Sequence, residues 1–202
     1  MEQVNGIKKL TDNRFLNLYE LDVGFRDGSR GCYYVASRRK SVQQLKAVTH
    51  DNHPDGVIIY GVHGEKKDKV VLIRQFRYPI NDYVYEFPAG LVEPGEDMLE
   101  AGIREMYEET GLQFSPVEGG CCSRPFFMTV GMTDESCGTV FGYCNGEPNN
   151  SHQEGTEDIQ VLLADRRECR RILEEENVAL PCAFMLMHFI ASDGDPLNFL
   201  ED

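Results

Sequence analysis

The stretch GLVEPGEDMLEAGIREMYEETGL, residues 90–112, is where the chain changes its period. From Asp97 onward Leu99, Ile103 and Met106 recur at helical spacing, and Gly111 stands where a helix C-terminal glycine belongs. Residues 97–110 are therefore expected to form a helix. Its second half, REMYEETG (104–111), gathers Glu105, Glu108 and Glu109 with Arg104 as the base among them. Residues four apart share a helix face, so Glu105 and Glu109 point the same way, and Glu108 lies on the adjoining face. Like charges so placed repel by about a few tenths of a kcal/mol per pair in water, and by more in shelter. Hard carboxylate oxygens aimed at one point are what Mg²⁺ or Mn²⁺ selects, and such a cation removes the repulsion. The plain alternative is a solvated acidic stripe.

Outward from this helix the pattern is mostly that of strands. FLNLYELDVGF (15–25), the turn RDGSR and GCYYVASRR read as an N-terminal β-hairpin. VQQLKAV (42–48), GVIIYGV (56–62), KVVLIRQFRY (69–78) and YVYEFPAG (83–90) read as further strands, the last ended by Pro88, with HPDG and GEKKD as turns. Beyond the helix, CCSRPFFMTV and GTVFGYCNG read as strands joined by the loop GMTDESC. DRRECRRILEEE (165–176) and CAFMLMHFIASD (182–193) read as helices. Strands, a helix, more strands and closing helices predict an α/β sandwich with a mixed sheet.

The 202 residues suit one domain of ordinary size with a small appendage, read as a β appendage over 1–50 and the main domain over 51–202. The chain is 41% hydrophobic without an apolar run of the length a membrane helix needs, and MEQVNGIKKL lacks the apolar core of a signal peptide. The expectation is a soluble cytoplasmic protein with no membrane partner. Seven cysteines, an odd number without metal-ligand spacing, are expected to be reduced and mostly buried. A formal net charge of -14 argues against a protein that grips nucleic acid by its phosphates. It also means that a phosphate-bearing ligand needs a metal ion or a local arginine cluster to reverse the field.

In full, residues 90–112 have the form G, five residues, E, seven residues, R-E-apolar-x-E-E-x-G-apolar, filled by Gly90, Glu96, Arg104, Glu105, Met106, Glu108, Glu109, Gly111 and Leu112. This resembles the Nudix box at every defining position. The resemblance implies a Nudix-type α/β/α sandwich and divalent-metal-dependent hydrolysis of a nucleoside diphosphate linked to another group. It further implies Glu105 and Glu109 as principal metal ligands, Glu108 as a further ligand or base, and Ala89 as the donor of a backbone carbonyl. Arg104 and Glu96 would orient these groups, and Gly90 would let the loop turn tightly.

Residues 70–97 and the loop GMTDE (131–135) are similar to the ADP-ribose pyrophosphatase branch, in which R-Q-x-R precedes E-x-P-A-G. That likeness implies Arg77 at the pyrophosphate or terminal ribose, with Arg74 and Glu86 as weaker candidates, and Glu135 as the first candidate for the base ahead of Glu108. ADP-ribose would yield AMP and ribose 5-phosphate, with Mg²⁺ or Mn²⁺ as the cofactor. Val130 stands before Gly131 where that branch commonly has proline, and the chain has no tryptophan to stack an adenine. Tyr19, Phe25, Tyr33 and Tyr34 are the aromatic substitutes, with strand core as their plain alternative. Other Nudix substrates (NADH, a GDP-sugar, a nucleoside triphosphate) stay open, as does a catalytically silent ligand sensor. The branch also implies a homodimer formed through the N-terminal appendage.

Overall fold

The computed structural model describes residues 3–153 and 158–201. The first half of the chain holds β1 (Val4–Lys9), β2 (Asn17–Gly24), β3 (Arg30–Ser37), α1 (Lys46–Thr49), β4 (Gly56–His63), β5 (Lys69–Arg77), β6 (Asp82–Glu86) and β7 (Ala89–Leu91). There follow α2 (Met98–Thr110), β8 (Gln113–Val117), β9 (Phe126–Phe127), β10 (Ser136–Asn145), β11 (Ile159–Asp165), α3 (Arg166–Glu175) and α4 (Leu180–Ala191). The chain divides into two units, one of residues 1–55 with 125–137, the other of 56–124 with 138–202.

In the first unit β1, β2 and β3 form an antiparallel sheet in that order. The expected hairpin is β2–β3, with Gly24 opposite Arg30 and Gly28 supplying the turn's positive φ of 86°. The added strand β1 is short and polar, with a register shift at Val4/Gly6, and gives little periodic signal. Tyr19, Leu21 and Leu45 form the unit's buried cluster. The expected strand over 42–48 is corrected: Val42–Gln44 is a 3₁₀ turn and α1 follows it. The Gln44 side chain accepts from the backbone N–H groups of Ser41 (3.1 Å) and Lys40 (3.2 Å), which winds the chain before a ladder can form. CCSRPFFMTV likewise is not one strand, since Gly120–Ser123 is a 3₁₀ turn and only Phe126–Phe127 pairs with the start of β10.

The second unit is built on a sheet whose strands run β11-β5-β4-β10-β8, with β6 joined to β5 and β7 to β4. Two apolar clusters occupy its two faces. Val57, Ile59, Val71 and Val140 pack with Ala101, Met106 and Leu112 on the α2 side. Val62, Val70 and Leu72 pack with Cys169, Ile172, Leu186 and Phe189 of α3 and α4. Alternate residues of β5 thus serve opposite layers, the period-two signature of a strand buried on both faces. Each fully buried aliphatic side chain contributes about 1.5–3 kcal/mol relative to exposure, which is how two layers of helices hold one sheet. The α/β/α sandwich expected from the sequence is the observed architecture.

The segment 83–90 breaks into β6 and β7 around Phe87-Pro88, which carries the chain from β5's side to β4's. β8 and β11 were not foreseen: β8 carries Pro116 and lies at a sheet end, where proline is tolerated. All seven cysteines are free, but only Cys144, Cys169 and Cys182 are buried, so the expectation of mostly buried thiols does not hold. Burial pushes the Cys144 and Cys169 thiols up to about 12, which keeps them protonated. No helix among the described residues is long and apolar enough to cross a membrane.

Candidate active site

The acidic helix α2 is set at both ends by side-chain and backbone chemistry. Asp97 accepts from the N–H groups of Leu99 (2.8 Å) and Glu100 (2.9 Å), and Glu100 reaches back to the Asp97 N–H at 3.0 Å, a reciprocal capping box. Gly111 ends the helix in the left-handed region at φ 72°. The buried face differs from the one expected. Leu99 and Ile103 are 43% and 44% exposed, and the buried residues are Ala101, Gly102, Met106, Glu109 and Thr110. Small residues let the helix approach the sheet closely, for a Cβ on Gly102 would sit 3.1 Å from the Val140 side chain. Counting large apolar residues misplaces such a face.

This rotation carries Glu109 inward to 4% exposure, where its Oε2 accepts from the Ala89 N–H at 3.1 Å. Glu105 lies against β7 so closely that a Cβ on Gly90 would fall 1.9 Å from its carboxylate. Gly90 is therefore required by the approach of a charged side chain, and its neighbour Ala89 by its backbone.

Arg104 organises the acids. Its Nε and Nη2 each bond Glu96 at 2.9 Å, its Nη1 bonds Glu105 at 2.7 Å and Glu108 at 3.0 Å, and Nη2 also donates to the Leu91 carbonyl at 3.0 Å. The planar guanidinium holds Glu96 in a two-pronged grip that an ammonium could not reproduce. That grip holds the Glu96 carboxyl below the usual carboxylate range, and the same bonds raise Arg104 above its own ordinary value. Glu96 also accepts from the Glu93 N–H at 2.9 Å, closing the loop in which Gly95 takes φ 90°.

The far end of α2 has support that the sequence did not announce. Gln153 Nε2 donates to the Glu109 carbonyl at 2.7 Å, and the Asn149 N–H donates to the Thr110 carbonyl at 2.9 Å. These satisfy helix-end carbonyls from a loop forty residues on, a distance at which no local motif operates.

On β5 and β6, Arg77 Nε bonds Glu86 Oε2 at 2.6 Å. Arg77 shares its strand face with Val71, which packs on the α2 side, as the regular β5/β6 and β5/β11 registers require. Arg74 falls on the other face of β5 from Arg77, stacked 3.9 Å over the Tyr83 ring. In the first unit, Glu135 Oε1 accepts from Arg38 Nε at 2.9 Å. Of the aromatic candidates there, Tyr19 is fully buried and donates its hydroxyl to the Arg39 carbonyl, which makes it core; Phe25, Tyr33 and Tyr34 are exposed.

The family model of the NUDIX domain matches residues 52–177, more than half of the chain, and the protein belongs to the Nudix family. Among curated relatives, it is 38% identical over 78 residues to an ADP-sugar pyrophosphatase of Mus musculus, covering 39% of this chain and 34% of the relative. It is 31% identical over 104 residues to an ADP-ribose pyrophosphatase of Bacillus subtilis, covering 52% and 47%. The chain spans about half the length of the curated relatives it matches, or less. A solved structure titled as an ADP compounds hydrolase shares the fold, with a TM-score of 0.60 at 18% identity over 85% of this chain and 82% of that one.

The donor set suits a hard divalent cation. Glu105 and Glu109 present carboxylates one helical turn apart, Glu108 adds a third, and Arg104 and the Ala89 N–H hold them by hydrogen bonds. Among the described residues no three His, Cys, Asp or Glu side chains form a ready-made cage. Two carboxylates with substrate oxygens and water filling the remaining positions is the arrangement that Mg²⁺ favours over an all-protein cage.

Proposed function

We propose that this protein hydrolyses the pyrophosphate bond of a nucleoside diphosphate sugar, with ADP-ribose as the substrate and AMP and ribose 5-phosphate as the products. The observation that carries the reading is the Arg104-ordered set of acids, with Glu105 seated against Gly90 and Glu109 on the Ala89 N–H. The names of the Mus musculus and Bacillus subtilis relatives support the substrate class.

Glu105 and Glu109 would hold Mg²⁺ or Mn²⁺, with Glu108 and the Ala89 carbonyl as further donors. When bound, the ion supplies charge neutralisation at the phosphates and a lowered proton affinity for water. The chain's own contributions are positional. Arg104 keeps Glu105 and Glu108 oriented while Glu96 keeps Arg104 in place. Arg77 offers a fixed guanidinium to a phosphate or ribose oxygen, released from Glu86 or shared with it. Glu135 is the first candidate to take the proton of the attacking water and Glu108 the second. The water oxygen joins one phosphorus, the bridging P–O bond breaks, and the departing phosphate keeps that bond's electron pair. Arg74, stacked over the Tyr83 ring, and Glu86, paired with Arg77, are the weaker candidates for substrate contact.

The protein is further proposed to act in the cytoplasm as a homodimer joined through its N-terminal sheet. The exposed Phe25, Tyr33 and Tyr34 leave apolar area on that unit for such contact, Tyr33 and Tyr34 on opposite faces of β3. Light scattering gives the mass directly.

Incubation with ADP-ribose, NADH, a GDP-sugar and a nucleoside triphosphate in Mg²⁺, followed by product identification, tests the proposal. AMP and ribose 5-phosphate as the fastest-formed products are expected. Faster cleavage of another substrate would move the protein within the family, and binding without turnover would make it a sensor.

A further inference from the structure

The proposed role of Glu135 leaves open what aims its carboxylate, and the first unit carries a built answer. Asp55, nearly buried, is the hub. Its Oδ2 accepts from Lys46 Nζ at 2.7 Å and from the Ser136 N–H at 3.0 Å, and its Oδ1 accepts from Arg39 Nη2 at 2.7 Å. Its own N–H donates to the Ser136 carbonyl at 2.8 Å. Lys46, equally buried, also donates to the Ser136 hydroxyl. Every polar group of the residue after Glu135 is thus engaged by one buried ion pair.

The residues before it are held as well. Thr133 bridges to Ala36, Ala36 N–H donates to the Met132 carbonyl at 2.9 Å, and the Glu135 N–H donates to Thr133 Oγ1 at 3.3 Å. Arg38 is anchored on its own two sides, for Ala36 is in that bridge and Arg39 is held by Asp55 and by the Tyr19 hydroxyl on its carbonyl at 2.7 Å. Two fixed backbone stations, 97 residues apart in sequence, therefore face each other across one side-chain contact, Arg38 Nε to Glu135 Oε1 at 2.9 Å. With the backbone fixed on both sides, what Glu135 retains is its side-chain torsions, and the guanidinium selects among them. The two groups line a cavity of about 140 Å³ together with Leu16, Ser37, Asp55 and Thr133.

We infer that Arg38 is a positioning residue for Glu135: it touches no reacting atom but sets the direction in which the Glu135 carboxylate points. This rests on the proposed function, in which Glu135 handles the proton of the attacking water.

The test is a double-mutant cycle on kcat and KM for ADP-ribose in saturating Mg²⁺, using Arg38→Ala, Glu135→Gln and the pair. Arg38→Ala is expected to lower kcat about tenfold to a hundredfold, the cost of about 1 Å of misplacement, with KM changed less than about twofold. In the Glu135→Gln background the same change is expected to cost nothing further, because the group it positions is already disabled. Arg38→Lys, which keeps the charge on a shorter reach, is expected to recover part of the rate. Unchanged melting temperatures exclude general damage, since the pair is exposed and the Asp55 hub is untouched. If Glu135→Gln turns over at the wild-type rate, the role of Glu135 falls and the inference falls with it. If Glu135→Gln is slow but Arg38→Ala is normal, raises KM alone, or multiplies its loss with that of Glu135→Gln, Arg38 is not a positioning residue while Glu135 keeps its role.

Discussion

Replacing Gly90 by alanine separates the seat of Glu105 from the stability of the fold. The new methyl would lie 1.9 Å from the Glu105 carboxylate, and ordinary contact begins near 3.4 Å, so the carboxylate must retreat by about 1.5 Å. The obstructing atoms are the end of a flexible side chain, and Gly90 has no positive φ, so the backbone accepts alanine. The loss includes the 2.7 Å bond to Arg104, about 1–2 kcal/mol for a charge-assisted bond that water partly screens. Against it stands a gain of about 0.4–1 kcal/mol from the stiffer unfolded chain. The net is about 1 kcal/mol or less, a shift of about 2–4 °C in the melting temperature for a chain of this size. Turnover should suffer far more, since a displacement of about 1 Å in a reacting constellation costs about a hundredfold. Differential scanning fluorimetry beside steady-state release of AMP checks both numbers. A near-normal kcat with a normal melting temperature would refute the reasoning, because it would mean that the observed seat of Glu105 is irrelevant to the chemistry.

Other outcomes follow from the same geometry. Glu109→Gln keeps an acceptor for the Ala89 N–H, so the fold should persist while turnover falls by about a hundredfold or more, the scale of losing one preorganised charge-stabilising group; isothermal titration with Mn²⁺ should show the affinity lost in parallel. Arg104→Ala should cost about 2–3 kcal/mol in urea unfolding, the scale of losing hydrogen bonds to charged partners. It should also flatten the acid side of the stability curve. Glu96 is held below its ordinary 4.5 chiefly by Arg104, so its contribution is present above that pH and is lost as the pH falls through the lowered value. Arg77→Ala should raise KM by about tenfold, the worth of about 1.4 kcal/mol of lost contact, whereas Arg74→Ala should leave KM within about twofold because it removes a partly exposed contact with Tyr83 and a long bond to Gln160.

What could be read from the chain depended on whether the signal was local. The period change at Asp97 and the closing Gly111 act within a few residues, so the helix and its ends were legible, as were the strands β4 and β5 with their apolar runs. The spacing of Glu105 and Glu109 was legible for the same reason, since a helix fixes which residues share a face. The buried face of α2 was not, because it is made by Ala101, Gly102 and Met106 packing on Val140, and glycine gives no hydrophobic signal. Residues 42–48 were misread because Val42, Leu45 and Val48 suit a strand by composition while the Gln44 side chain decides for a turn. Partners distant in sequence lay beyond local reading altogether: Gln153 on the Glu109 carbonyl, Arg38 on Glu135, and Asp55 on Ser136.

The most direct test of the account is anomalous diffraction at the manganese edge from crystals soaked in Mn²⁺ with a non-hydrolysable ADP-ribose analogue. A peak in contact with the carboxylates of both Glu105 and Glu109, beside the analogue's phosphates, is the predicted result. Full occupancy of the analogue with no manganese against either carboxylate would contradict the claim that α2 is the catalytic element.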